Sequence, residues 1–498
     1  MAPALNRTPV AIVGGGLAGL SAALAAHEAG ARVHLFERAP QAERGGNTRH
    51  SNGALRAAYR GVADIKQLLP ELEDAAIANT DFGSYPPERY LADMARITEG
   101  RADPQLTKTL VDESFDVLLW LMRHGVRYDP LWSAQAPPVD GRVTFYGGSA
   151  VEARGLGAGL VESLYRALEE CGIAVTYGAR AIDLVCDGAA IGGVRVRAGG
   201  ATFDVPASAV VLASGGFESD VAWRVRYLGP GWDLAKVRGT RFNTGDGLQM
   251  ALDAGAQPYG QWSGCHAAGW ARHAPDYGDV TNPEKFKRDD FMHGIFINAH
   301  GRRFVDEGAD LRALTYAKYG RSIMEQPGSV AWQIFDAKTT PLLSADYRNS
   351  SVAPIRAGSL EELSERLAGV DSVAFLQTVR EYNAAVRTDI PHDPARKDGR
   401  GTAGPALPKS NWATTIDTPP FEAYPLAFGV TFTFGGVRID THGRVLDTEG
   451  SAIPGLYAAG EMVGGLFYFN YPGGSGLVSA AVFGRIAGRS AARTGPLG

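Results

Sequence analysis

The chain has 498 residues, 45% hydrophobic and 21% charged, which is enough to bury a large core and to form more than one domain. Its net charge of −5, with a pI near 6.1 and no basic run interleaved with aromatics, argues against nucleic acid and acidic membrane surfaces as partners and points to small molecules. Cys171, Cys186 and Cys265 stand far apart without CxxC or CxxCH, which excludes a disulfide framework, a zinc or iron–sulfur site and attached c-type haem. No metal is expected. The opening MAPALNRTP lacks the pattern of a secretory signal, and no stretch is long and apolar enough to span a bilayer, so a cytoplasmic location is expected.

In chain order, Val10 to Val13 read as a buried strand, Leu17 to Glu28 as an Ala-rich helix stopped by Gly30, and Arg32 to Phe36 as a second strand. Gly14, Gly16 and Gly19 thus form GxGxxG between a strand and a helix. The glycines allow a tight turn, close approach of a pyrophosphate and close helix–strand packing, and the helix N-terminus at Ala18 supplies N–H groups for phosphate. Glu37 ends the second strand, where a carboxylate accepts from ribose hydroxyls, with Arg38 beside it. This is a dinucleotide site; the fingerprint alone does not separate NAD from FAD.

The polar loop ERGGNTRHSNGALR (43–56) follows, offering Gly45, Gly46, Asn47, Thr48, Ser51, Asn52 and Gly53 toward the cofactor's other half. Residues 155–172 read as a helix and 173–212 as strands, with Ala181 and then Ala213, Ser214 and Gly215 at cofactor positions, and Asp246 in a later GDG. From 261 to 429 the composition shifts to His, Trp, Tyr and Pro, which reads as a capping domain inserted between residues 1–260 and 430–498. Near the C-terminus IPGLYAAGEMVGG ends a strand at Gly460–Glu461, an acid suited to a ribityl chain. FNYPGGSG (469–476) then joins a tyrosine fixed by proline to glycines that admit close backbone approach, leading into Ser475, Gly476, Leu477 and Val478. No second GxGxxG follows a strand, so a separate nicotinamide domain is not expected.

Through GGGLAGL, ERGGNTRHSNG, VVLASGGFE, GDG, NAHGRRFVDE, LYAAGE and YPGGSG, in that order, the chain resembles the flavoprotein family of fumarate reductases, succinate dehydrogenases and 3-ketosteroid dehydrogenases. GADLRALTYAKYGR with FYFNYPGGSG resembles its tricarballylate dehydrogenase-like members. The resemblance implies an α/β fold, a Rossmann-like FAD-binding domain of parallel sheet with helices on both faces and an inserted α+β cap. It also implies noncovalent FAD, since the residues around His50 differ from the family's covalent attachment motif. By resemblance to ketosteroid dehydrogenases, Tyr471 and the N–H of Ser475 hold a substrate keto oxygen.

Two family contacts for dicarboxylates are replaced: Tyr471 stands where fumarate reductases carry arginine, and Phe432 where they carry histidine. The family's proton-transfer position falls on Leu311, so Arg312 takes the role only after a one-residue shift. Tyr316, four residues on, would share a helical face with Arg312, and the pair is the expected proton-transfer unit with Tyr316 as base. His266 resembles a substrate-contacting histidine of fumarate reductases and reads equally as a core histidine; Arg56 and Arg60 are candidates to reach a substrate carboxylate.

The expected activity is an FAD-dependent dehydrogenase that introduces an α,β-double bond beside a ketone or carboxylate, by α-proton abstraction and β-hydride transfer to the flavin. The alternatives are an ene-reductase of fumarate reductase type and a flavin-bearing electron-transfer subunit. Oxygen, a quinone and an iron–sulfur partner all remain open as electron acceptor.

Overall fold

A computed structural model describes residues 9–132, 141–281, 286–348 and 353–494; the residues before 9, where the opening segment lies, are outside it. Strand β1 (Pro9–Val13) is followed by helix α1 (Leu17–Glu28) and strand β2 (Arg32–Glu37). β1 is central in a six-stranded sheet, paired in parallel with β2 on one side and Ala209–Leu212 on the other. Both of its faces are covered, which is why it reads as an unbroken apolar run. The sheet continues to Ala174–Tyr177 beyond β2, and through Ala452–Ala458 to an antiparallel edge strand, Arg444–Leu446.

Helix α1 is buried from Leu17 to Ala26, because the C-terminal helix Ser475–Ala491 lies directly on it. A Cβ on Gly484 would sit 2.4 Å from the Ala18 carbonyl oxygen, and one on Gly488 2.2 Å from that of Ala22. These two glycines therefore permit backbone-to-backbone contact, and that contact carries the start of the last helix over the start of α1.

A second six-stranded sheet is organised around the 17-residue strand Phe421–Val437. It pairs antiparallel with Pro258–Ala271 along most of its length and with Ala331–Phe335 and Ile355–Ala357, and parallel with the short Lys236–Val237. A satellite core including Ile334, Leu363, Phe375 and Ala423 lies beneath the helices Leu360–Arg366 and Ser372–Ala385. The far end of the long strand, Thr431 to Phe434, reaches back into the cleft between the two sheets. The two sheets with their helices form an α/β architecture with an α+β cap. Among the described residues no helix is long and apolar enough to cross a membrane.

Candidate active site

One cleft, with about 2110 Å³ of empty space partly open to solvent, runs from the N-terminus of α1 to the YPGG loop. Its first end is built by β1, α1 and β2. Gly14 has φ +105°, and a Cβ there would lie 2.4 Å from the Ala213 carbonyl oxygen; one on Gly19 would lie 1.8 Å from that of Gly14. Glu37 is buried and accepts the N–H of Gly15 at 2.8 Å and of Ala39 at 2.7 Å. Burial raises its pKa, and those backbone donors oppose the rise. Thr48 Oγ1 accepts the Leu17 N–H at 3.0 Å, tying the 43–56 loop to the helix start.

Asn47 ties that loop to three segments distant in the chain. Its amide donates to Glu218 at 2.7 Å and to the Thr431 carbonyl at 2.9 Å, while its oxygen accepts the Thr240 N–H at 3.0 Å. Glu461 accepts the Thr433 N–H at 2.7 Å, and burial, then neighbouring Glu218, push its pKa well up. Arg38 donates to Asp246 at 3.0 Å.

Of the expected cofactor residues, Gly14, Gly16, Ala18, Glu37, Arg38 and Gly46 line the cleft, as do Asn47, Thr48, Ser51 and Asn52. So do Ala181, Ala213, Ser214, Gly215 and Asp246 in the middle of the chain, and Gly460, Glu461, Gly476 and Leu477 near its end. Gly19, Gly45, Gly53, Ser475 and Val478 do not; the first three act by close packing, a Cβ on Gly45 meeting Val161 at 2.7 Å and one on Gly53 meeting Leu156 at 2.8 Å. An elongated, glycine-floored cleft with a carboxylate at each strand end and a free helix start fits a flavin dinucleotide.

At the other end the hydroxyls of Tyr316 and Tyr471 hydrogen-bond to each other, although 155 residues separate them. Tyr471 is 6% exposed; burial pushes its pKa well above 10 and Tyr316 adds to the shift, so it is a neutral donor. His266 stands against both rings, 4.8 Å from Tyr316 and 5.0 Å from Tyr471, with Phe432 5.4 Å away. Burial, then Arg238, push the His266 pKa well below 6.5, so its ring is neutral.

Three placements differ from expectation. Arg312 and Tyr316 both line the cleft but share no α-helical face: Arg312–Leu314 and Tyr316–Lys318 are separate 3-10 turns, broken at Thr315 (φ −134°). The reason is that the YPGG loop takes the carbonyls a helix would use, with Gly473 N–H on Ala313 at 2.8 Å and the Asn470 amide on Leu314 at 2.7 Å. Arg312 pairs with Asp290 at 3.0 Å. The Ser475 N–H donates to the Pro472 carbonyl at 3.0 Å, closing the turn that enters the last helix, and its hydroxyl accepts from Tyr90 at 2.7 Å. Arg56 is buried behind the loop, with Nε on the Gly473 carbonyl at 2.7 Å and its guanidinium over Tyr85, while Arg60 is exposed; neither lines the cleft.

Residues not anticipated from the sequence are Arg238, Trp270, Lys287 and Asp289, which line the substrate end. Nothing local marks them, since they come from a strand end, a cap strand and a loop that only the fold brings together.

Comparison with known proteins agrees with this geometry. Residues 9–478 match the family described as FAD binding domain. The chain is 30% identical over 489 residues to fumarate reductase (cytochrome) of Shewanella frigidimarina, covering 97% of this chain and 77% of that protein. It is 24% identical to 3-oxosteroid 1-dehydrogenase of Mycobacterium tuberculosis, covering 96% and 97%. The open conformation of a flavocytochrome c3 fumarate reductase superposes with a TM-score of 0.73 at 26% identity, over 99% of this chain and 79% of that one. The chain belongs to the FAD binding domain family and is an FAD-dependent oxidoreductase acting on CH–CH bonds.

Proposed function

We propose that the enzyme desaturates the bond beside a ketone or carboxylate of a small organic substrate: a keto acid, a cyclic ketone or a tricarballylate-like acid. The observation that carries this reading is the Tyr316–Tyr471 hydroxyl pair in the cleft, where a base and an oxyanion donor are both needed. FAD bound in the cradle supplies the hydride acceptor.

Tyr471 has one proton to donate. While Tyr316 is a phenolate, it receives that hydrogen bond. Once Tyr316 takes the substrate's α-proton, its charge is gone and negative charge builds on the substrate oxygen, so the same donor is drawn there. In a water-poor cleft such a hydrogen bond contributes about 3 kcal/mol to the transition state. His266, neutral and 5.0 Å from the Tyr471 ring, holds the second side of the pocket without competing as a charge. Oxygen, a quinone or an iron–sulfur protein would take up the electrons.

One observation favours the reverse, reductive direction as a second reading: Arg312, half-buried and paired with Asp290, is a protonated group in the same cleft. The test is anaerobic mixing of the oxidised protein with cyclic ketones, keto acids and tricarboxylates, followed by the flavin absorption band. Bleaching by one class supports desaturation. No bleaching, with rapid reoxidation of the dithionite-reduced protein by α,β-unsaturated acids, would replace it with the reductase.

A further inference from the structure

Arg238 follows the short strand Lys236–Val237 and is only 9% exposed. Its backbone N–H donates to the Val430 carbonyl at 2.8 Å, and its side chain passes Gly429, where a Cβ would lie 2.6 Å from its Cγ. The missing side chain at Gly429 is what lets the arginine reach the cleft. There its guanidinium stacks 4.4 Å from the Trp270 ring, and Nε and Nη1 have no hydrogen-bond partner in the protein. His266, 3% exposed, likewise has both ring nitrogens unpartnered. Buried donors of this kind are costly unless an acceptor arrives.

The other cations lining the cleft are matched by acids. Arg38 and Arg180 share Asp246, Arg312 holds Asp290, and Lys287 lies 3.9 Å from Asp346. Among the described residues Arg238 is the one lining cation without an ion pair. Trp270, Phe432 and Tyr471 put aromatic surface on this end of the cleft, which Lys287 and Asp289 also line.

We propose that Arg238, with His266 beside it, anchors a carboxylate of the substrate, so that the enzyme acts on an acid with one anchored carboxylate and an apolar body rather than on an uncharged ketone. What then happens to the bound acid rests on the desaturase reading above; the anchoring does not.

The test is calorimetric titration of the flavin-loaded protein with cyclohexanecarboxylate, tricarballylate and a simple 2-keto acid, each against its neutral amide. At least one acid should bind, its amide at least tenfold more weakly. In Arg238→Gln that acid should weaken at least tenfold and the amide little, with Arg238→Lys between the two. If Arg238→Gln does not retain flavin, Arg238→Lys alone decides, with at least a threefold loss for the acid and none for the amide. The anchor is overturned if no acid binds, if acid and amide bind equally, or if the variants bind the acid as wild type does. Acid binding through Arg238 without bleaching by any acid would sink the desaturase and leave the anchor standing. Bleaching by ketones with no acid binding would do the opposite.

Discussion

The side-chain amide of Asn470 donates to the main-chain carbonyl of Leu314 at 2.7 Å, joining two segments 156 residues apart in the chain. With the parallel bond from Gly473 to Ala313, it sets Tyr471 opposite Tyr316. The tyrosine pair is therefore held by main chain on one side and by a short loop on the other.

Asn470→Ala should loosen this pair while leaving the cofactor cradle intact. About tenfold loss of kcat is expected, with full flavin content and a stability loss of about 1–2 kcal/mol from the orphaned buried carbonyl. Steady-state kinetics beside flavin stoichiometry checks it; unchanged kcat would mean the loop is positioned by Gly473 alone.

Tyr471→Phe and Tyr316→Phe should each slow anaerobic flavin reduction about a hundredfold. Because the two hydroxyls share one hydrogen bond, the double variant should fall far short of the product of the two losses. Multiplicative losses in rapid-mixing traces would show two independent groups.

Glu37 uses both carboxylate oxygens on backbone donors. Glu37→Gln turns an N–H₂ toward one of them, so FAD affinity should drop at least tenfold at a cost of about 1–3 kcal/mol. Reconstitution of apoprotein followed by flavin fluorescence measures this, and equal affinity would contradict the role given to Glu37.

Acid should destabilise the fold through histidines. Burial lowers the pKa of His50 and of His293 to about 4, and pushes that of His266 well below 6.5. Since the folded values lie below the unfolded one, the unfolded chain binds protons first, and stability falls as pH drops from about 6.5 toward 4. By pH 5.5 each ring should remove on the order of 1 kcal/mol. Urea midpoints at pH 7.5 and 5.5 test this, and His50→Gln should shrink the difference; an identical pH response in that variant would count against it.

Much of the nucleotide end was legible in the sequence. β1, α1 and β2 fall where apolar runs and Gly30 put them, because a buried parallel strand and an Ala-rich helix write their periods locally. Gly46, Asn47 and Thr48 and the Gly460–Glu461 strand end were likewise readable as cleft residues, since their chemistry is set by short contiguous stretches.

The substrate end was not. The sequence alone named Tyr471, Tyr316 and His266 as separate candidates, but only the tertiary structure put them in one aromatic cluster, moved Arg56 behind the loop and gave the Ser475 N–H to Pro472. It alone brought Arg238 past Gly429 into the cleft. The reason is physical: a helix or strand is decided by neighbours within a few residues, whereas a buried charge takes its meaning from groups distant in the chain. For Arg238 those are Trp270, His266 and the strand around Val430.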